Sequence, residues 1–391
     1  MAALPVLLHL NERSTGHPAR DWLTAWAPRF MPGHGLRVLV LGCGEGWLER
    51  ALVRHDWIAH IDACDFAAEA VERARTLAPP KIDYRVVDLN RDGIDGRYDV
   101  IVAHAVLHHI ENLEHAFDQI DRALKPEGTL IVNEYAGPNR FQYGDDVLAI
   151  MNALLGVLPP HLRRSMMTAR TYEAKERPTV EEMIRNDPSE AVRAEELLPM
   201  LAARYDILDR RDLGGTPMQH LLYDIVGNFR FDDPLARSLL EMMLTFEGAL
   251  VDEGVIPSDF VICAARKKGA PPLSERKVEL PPLPPEAFET MRDPLLKARR
   301  VVPERSMRAS ATPPATRKMA QWQLHLLRLA LLAEAPHRTP LNPRSRAAEA
   351  KERLRFATGH ETAFKWILAR AANVHTRAML EAMRRVYVPP A

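Results

Sequence analysis

Between residues 36 and 136 the chain alternates two kinds of pattern. Short, unbroken apolar runs, "LRVLVLG", "IAHIDACD", "KIDYRVVDL", "RYDVIVAHAV" and "GTLIVNEYA", alternate with amphipathic stretches. The main amphipathic stretches are "EGWLERALVRHD", "AAEAVERARTLA" and "NLEHAFDQIDRAL". A strand that is apolar at every position is buried on both faces. Five such strands with helical spacers predict a parallel sheet covered on both sides. From 138 to 203 the pattern predicts mostly helix, broken at Pro159-Pro160, Pro178 and Pro188. "YDILDRRDLGG" reads as a sixth strand, "MQHLLYDIVGNF" and "PLARSLLEMMLTFEGALVDEG" as helices, and "DFVICAARKK" as a seventh strand. The two late strands are expected at the antiparallel edge of the same sheet.

The pattern also divides the chain. Residues 1–268 read as one α/β domain with helical insertions at about 138–203 and 214–254. Residues 269–317 are Pro-rich and read as a linker or arm, and 318–391 as a mainly helical C-terminal appendage. With 391 residues, 47% hydrophobic and 27% charged, the composition is that of a globular protein. Net charge is zero, so no global field draws the chain to nucleic acid or anionic lipid. From residue 266 onward, however, about 25 Lys and Arg face about 11 Asp and Glu. That excess, against an acidic remainder, predicts docking of the appendage on the domain or exchange between copies in a homo-oligomer. Cys43, Cys64 and Cys263 each sit in or beside an apolar run, as free buried thiols do, and the cytoplasm is the expected compartment. The apolar start "MAALPVLLHLNER" is short and lacks a basic leader, so neither a signal peptide nor a spanning helix is expected.

The chemistry begins at "GCGEGW", after the first strand. A dinucleotide fingerprint needs a small third residue at the position of Trp47, which the indole cannot be. The glycines instead fall at Gly42, Gly44 and Gly46. This G-x-G-x-G spacing resembles the first motif of the class I S-adenosylmethionine (SAM) methyltransferases, whose turn cradles the methionine part of the ligand. Asp65, ending the second strand about twenty residues on, is placed to accept the ribose hydroxyls, with Asp62 as its rival. Phe66 is placed to pack on the adenine face. In "VVDLN", Asp88 and Leu89 match the family's adenine-reading positions. The segment from Tyr98 to Val132 resembles its fourth strand, "LHH" turn and "LKPGG" turn, with Glu127 in place of the usual glycine. The resemblance covers residues 36–135 closely. It extends loosely to about 268, toward an uncharacterised bacterial group that accompanies glycan or secondary-metabolite genes.

The resemblance implies a Rossmann-like class I methyltransferase sheet, SAM as cofactor, and binding residues Gly42, Cys43, Gly44, Gly46, Asp65, Phe66, Asp88, Leu89 and His104. The acceptor pocket is expected at the ends of the fourth and fifth strands. Candidate catalytic residues there are His108, Glu134 and His220, as a base or to position the acceptor. The expected reaction is O-methylation of a small molecule or glycan intermediate. Methylation of a protein or peptide, and a SAM-binding module without turnover, are the alternatives. Nucleic acid is disfavoured because the exocyclic-amine motif is missing and the basic third lacks interleaved aromatics. His104, His108, His109 and His115 have no ligand spacing, so no metal is expected from them. The methionines of the first insertion read as adaptable core.

Overall fold

The computed structural model describes residues 4–230 and 233–278. The expected appendage, and all but the first ten residues of the Pro-rich arm, lie outside the described residues. In chain order the strands are β1 Leu36–Leu41, β2 Ile58–Asp65, β3 Ile82–Val86, β4 Tyr98–His104, β5 Leu124–Tyr135, β6 Tyr205–Gly214 and β7 Phe260–Lys267. The helices are α1 Leu4–Thr15, α2 Trp22–Ala25, α3 Trp47–Leu52, α4 Ala68–Thr76, α5 Leu113–Ala123, α6 Asp145–Val157, α7 Val180–Asn186, α8 Leu197–Arg204, α9 Met218–Leu222 and α10 Pro234–Asp252.

The seven strands form one sheet in the order β3-β2-β1-β4-β5-β7-β6. β1 to β5 pair in parallel, and β7 runs antiparallel to both β5 and β6. Both late strands therefore lie at the expected edge. The apolar runs are continuous because alternate residues supply two different cores. Val38 and Val40 face one, with Leu48, Leu52 and Ile61. Leu39 and Leu41 face the other, with Leu113, Phe117 and Ile120 of α5. Asn112 caps α5, its side chain accepting from His115 N–H. Strand β6 is charged and largely exposed, as an edge strand that resists pairing with another chain must be.

Two features differ from the sequence reading. The N-terminal stretch forms helix α1, which packs on α10 and β6. Arg13 fixes it there, donating to the Asp212 carbonyl at 2.9 Å and to Asp252 at 2.7 Å. The insertion after β5 is less helical than expected, because residues 164–179 are largely irregular. That stretch is pinned by Asp224, which accepts from Met167 N–H and Tyr172 O–H, each at 2.9 Å, and from the Ser165 hydroxyl. Met151 and Met183 are buried as expected, whereas Met166 and Met167 are exposed. The two insertions are not separate: α6, α9 and α10 share a third core that includes Tyr143, Leu155, Leu221 and Met243.

Candidate active site

Winding reverses between β1 and β4. In open α/β sheets the carboxyl ends of the strands at such a reversal form the ligand crevice. Both the glycine turn and the "HAVLHH" segment are at that end.

Gly42, Gly44 and Gly46 all have positive φ (+73°, +50° and +79°). Their reasons for being glycine differ. A Cβ on Gly42 would run into the Val106 side chain, and one on Gly46 into the Tyr84 hydroxyl. Among the described residues a Cβ on Gly44 would meet nothing within 4 Å. The turn is thus packed against protein at its two ends and open in the middle, as a cradle must be. Gly42 and Cys43 N–H groups donate to the Cys64 carbonyl at 2.9 and 3.0 Å, tying the turn to β2. Asp65 completes it: one carboxylate oxygen accepts from Gly44 N–H at 2.8 Å, the other from Ala67 N–H at 2.9 Å. Each oxygen keeps a second lone pair. Asp62, the rival acid, is mid-strand and spent on Arg37 at 2.9 Å and Arg85 at 3.3 Å. Phe66 is 74% exposed beside the turn. Asp88 holds its own loop, accepting from Asn90 N–H at 3.0 Å and pairing with Arg91 at 3.2 Å, while Leu89 is buried.

Under the turn is a group the sequence reading missed. Glu49, in the first turn of α3, is fully buried. Among the described residues neither oxygen has a hydrogen-bond partner from another residue. Burial pushes its carboxyl up to about 7. All three cysteines are buried free thiols, and burial pushes those of Cys64 and Cys263 up to about 12, so they are poor nucleophiles.

The far wall begins at His104, whose ring lies 5.5 Å from those of both Trp22 and Trp47. Among the described residues its buried Nδ1 has no partner, and burial lowers its pKa. Ala105 follows at φ +51°, a strained conformation for a residue with a Cβ. Glu134, near the end of β5, over-determines it. One oxygen accepts from both Val106 and Leu107 N–H at 2.8 Å, bending the chain after β4. The other oxygen lies 2.6 Å from His108 Nδ1. Burial alone would raise Glu134 and lower His108. Their mutual hydrogen bond and charge outweigh it, aided at His108 by Glu190 and Asp187, so Glu134 is lowered and His108 raised. The carboxylate is ionised, so Nδ1 carries a proton toward it and Nε2 faces outward.

A loop from the first insertion closes over this pair. His109 Nδ1 lies 3.0 Å from Ser189 Oγ, and Val192 N–H donates to the His108 carbonyl at 3.1 Å. Arg140 anchors the loop, donating to the Glu190 carbonyl at 3.0 Å. Glu190 places a carboxylate oxygen 3.7 Å from His108 Nε2. His220 is not part of the pair. Its ring lies 5.0 Å from Phe141 and 4.5 Å from Tyr143, and the rings of Phe141 and Tyr135 stand in a chain of contacts between it and His108. Burial, then Lys175, lowers it to about 4, so it is neutral near pH 7.

Residues 39–132 match the family model of a methyltransferase domain. A malonyl-[acyl-carrier protein] O-methyltransferase of Bacillus cereus is 28% identical over 125 residues, which are 32% of this chain and 46% of that protein. An uncharacterised methyltransferase of Mycobacterium bovis is 33% identical over 104 residues, 26% of this chain and 52% of that one. The chain spans about half the length of the curated relatives it matches. A solved SAM-dependent methyltransferase from Mesorhizobium loti covers 61% of this chain and 93% of its own, at 17% identity and TM-score 0.36. The match covers the stretch that builds the parallel half of the sheet and its glycine turn, so that half is similar to a methyltransferase domain, for which the sequence resemblance implies SAM as cofactor. The residues present fit that cofactor: an open glycine cradle, a strand-end acid with free lone pairs, and an exposed aromatic face beside them. No helix among the described residues is long and apolar enough to cross a membrane.

Proposed function

We propose that the chain is a SAM-dependent O-methyltransferase whose acceptor is a hydroxyl of a small molecule or glycan intermediate. When bound, SAM supplies an electrophilic methyl group. Gly44 and Asp65 hold it by leaving room and by accepting hydrogen bonds from its ribose hydroxyls, with Phe66, Asp88 and Leu89 on the adenine side. The observation that carries the acceptor reading is the buried Glu134–His108 pair at the ends of β4 and β5. A carboxylate acceptor is already a nucleophile and needs no base. A hydroxyl acceptor benefits from one, and an imidazole whose Nδ1–H is locked on an acid presents Nε2 for that proton. His108 is the proposed base, Glu134 its positioning residue, and His220 a neutral wall of the acceptor pocket beyond Phe141. The names of the curated relatives support oxygen as the atom methylated.

The test is transfer of labelled methyl from SAM to small-molecule extracts, with parent, His108→Ala and Glu134→Gln proteins. Transfer by the parent is expected to fall roughly 10²–10⁴-fold in both variants, with SAM affinity by calorimetry near the parent's. Full transfer by His108→Ala refutes the base. Label entering only protein fractions favours the peptide reading, and no transfer to any fraction favours a binding module.

A further inference from the structure

His108, His109 and Glu190 bring one ligand atom each to within 4.8 Å of one another. The sequence gives no hint of this group, because its third member lies about eighty residues from the first two. The hydrogen bonds around it fix which atoms are free. Ser189 O–H donates to Asp187 at 2.6 Å. Its only proton is thereby spent, so at 3.0 Å it is His109 Nδ1–H that donates to Ser189 Oγ. His108 Nδ1–H is likewise spent on Glu134. In the neutral tautomers so defined, both histidines keep an Nε2 lone pair. An imidazole oriented by a carboxylate, directly or through a hydroxyl, is the arrangement that fixes metal-binding histidines. Glu190 faces His108 Nε2 at 3.7 Å, too long for a hydrogen bond and short enough to share a third partner.

We propose that His108, His109 and Glu190 form a binding site for one first-row divalent cation of the zinc class. Two imidazoles and one carboxylate leave a fourth position open, as in catalytic rather than structural zinc sites. Metal–ligand distances near 2.1 Å imply ligand atoms ~3.4 Å apart in a tetrahedron. Closing from within 4.8 Å is therefore a small movement of the three side chains, Glu190 being 28% exposed and already 3.7 Å from His108 Nε2. The local charge is suited to a cation. The carboxylates of Glu134, Asp187 and Glu190 surround the two imidazoles. The nearby guanidinium of Arg140 is turned onto the carbonyls of Asp187 and Glu190. His108 Nε2 cannot serve a cation and the acceptor proton at once, so zinc bound here competes with the acceptor.

The experiment uses the full chain, free of any histidine tag and stripped with chelator. Zinc is titrated by calorimetry and cobalt(II) by visible absorption, with neither SAM nor acceptor present, so the result stands apart from any activity. One site is expected in the parent. It is lost in His109→Ala and in Glu190→Gln, and weakened roughly 10–100-fold in Glu134→Gln, which contacts the cation only through His108. SAM affinity in His109→Ala and Glu190→Gln serves as the folding control and is expected to match the parent's. Equal zinc affinity in the parent and both ligand variants assigns the metal to histidines elsewhere and overturns the proposal. So does the lack of a stoichiometric site in the parent.

Discussion

Gly42→Ala and Gly44→Ala are chemically identical changes two residues apart, and the structure assigns them opposite consequences. Both place a Cβ at positive φ, which costs about 1–2 kcal/mol of backbone strain. At Gly42 the new methyl also drives into Val106, and overpacking of that kind adds about 1–3 kcal/mol. The sum is about 2–5 kcal/mol, and a domain this size loses ~2–4 °C of Tm per kcal/mol. A drop of roughly 5–20 °C is expected for Gly42→Ala. At Gly44 the methyl meets none of the described residues within 4 Å. Only the strain remains, and the expected loss is about 2–8 °C. The methyl then stands in the cradle, so the steric cost appears when SAM binds. An intrusion worth about 1–3 kcal/mol weakens affinity ~5–150-fold. Thermal melts without ligand and calorimetry with SAM separate the two effects. Gly44→Ala binding SAM as tightly as the parent would refute the placement of the ligand over the middle of the turn. A Gly42→Ala melt no lower than that of Gly44→Ala would refute the packing argument.

Two further outcomes are expected. Burial pushes Glu49, Glu247 and Asp259 up to about 7, whereas in the unfolded chain each ionises near its ordinary value of about 4. The folded form therefore binds more protons between about pH 4 and 7, and this contribution to stability is full below that window and lost as pH rises through it. Glu49→Gln removes one share of that slope, up to about 1.4 kcal/mol per pH unit. Its stability relative to the parent is expected to climb from pH 4.5 to 7 in urea titrations, and a flat difference contradicts the burial argument. A chain stopped after residue 278 is expected to keep the full chain's SAM affinity, since the glycine turn, Asp65 and the cores described above are built from residues before that point; loss of binding on truncation argues that the remainder completes the site.

The parallel half of the sheet was legible because its strands are buried on both faces, a condition that writes itself into composition. The glycine turn and Asp65 were legible because a ligand-binding turn and its acid sit at fixed places on consecutive strands. Helix α1 was not, since its stability comes from Arg13 and from packing on α10 and β6, partners some two hundred residues away. Nor was the role of residues 187–192. Nothing local in "DPSEAV" marks it as the cover of His108 and His109, and only the tertiary contacts from Ser189, Glu190 and Val192 reveal it. Glu49 reads as an ordinary helix acid, because its burial depends on what β2 and β3 place against it.

The last described turn of chain has a consequence of place. After β7 the backbone passes beneath β1, where Arg276 donates to the carbonyls of Met31 and Gly33 and lies 4.3 Å over the Trp57 ring. Arg29 reaches Glu275 at 2.8 Å beside it. This latch joins the exit of the domain to the approach to its first strand, at the end of the sheet remote from the glycine turn. Six residues of β1 separate the two ends, about 20 Å of strand. The described chain thus leaves the domain at its floor, on the side opposite the reaction mouth.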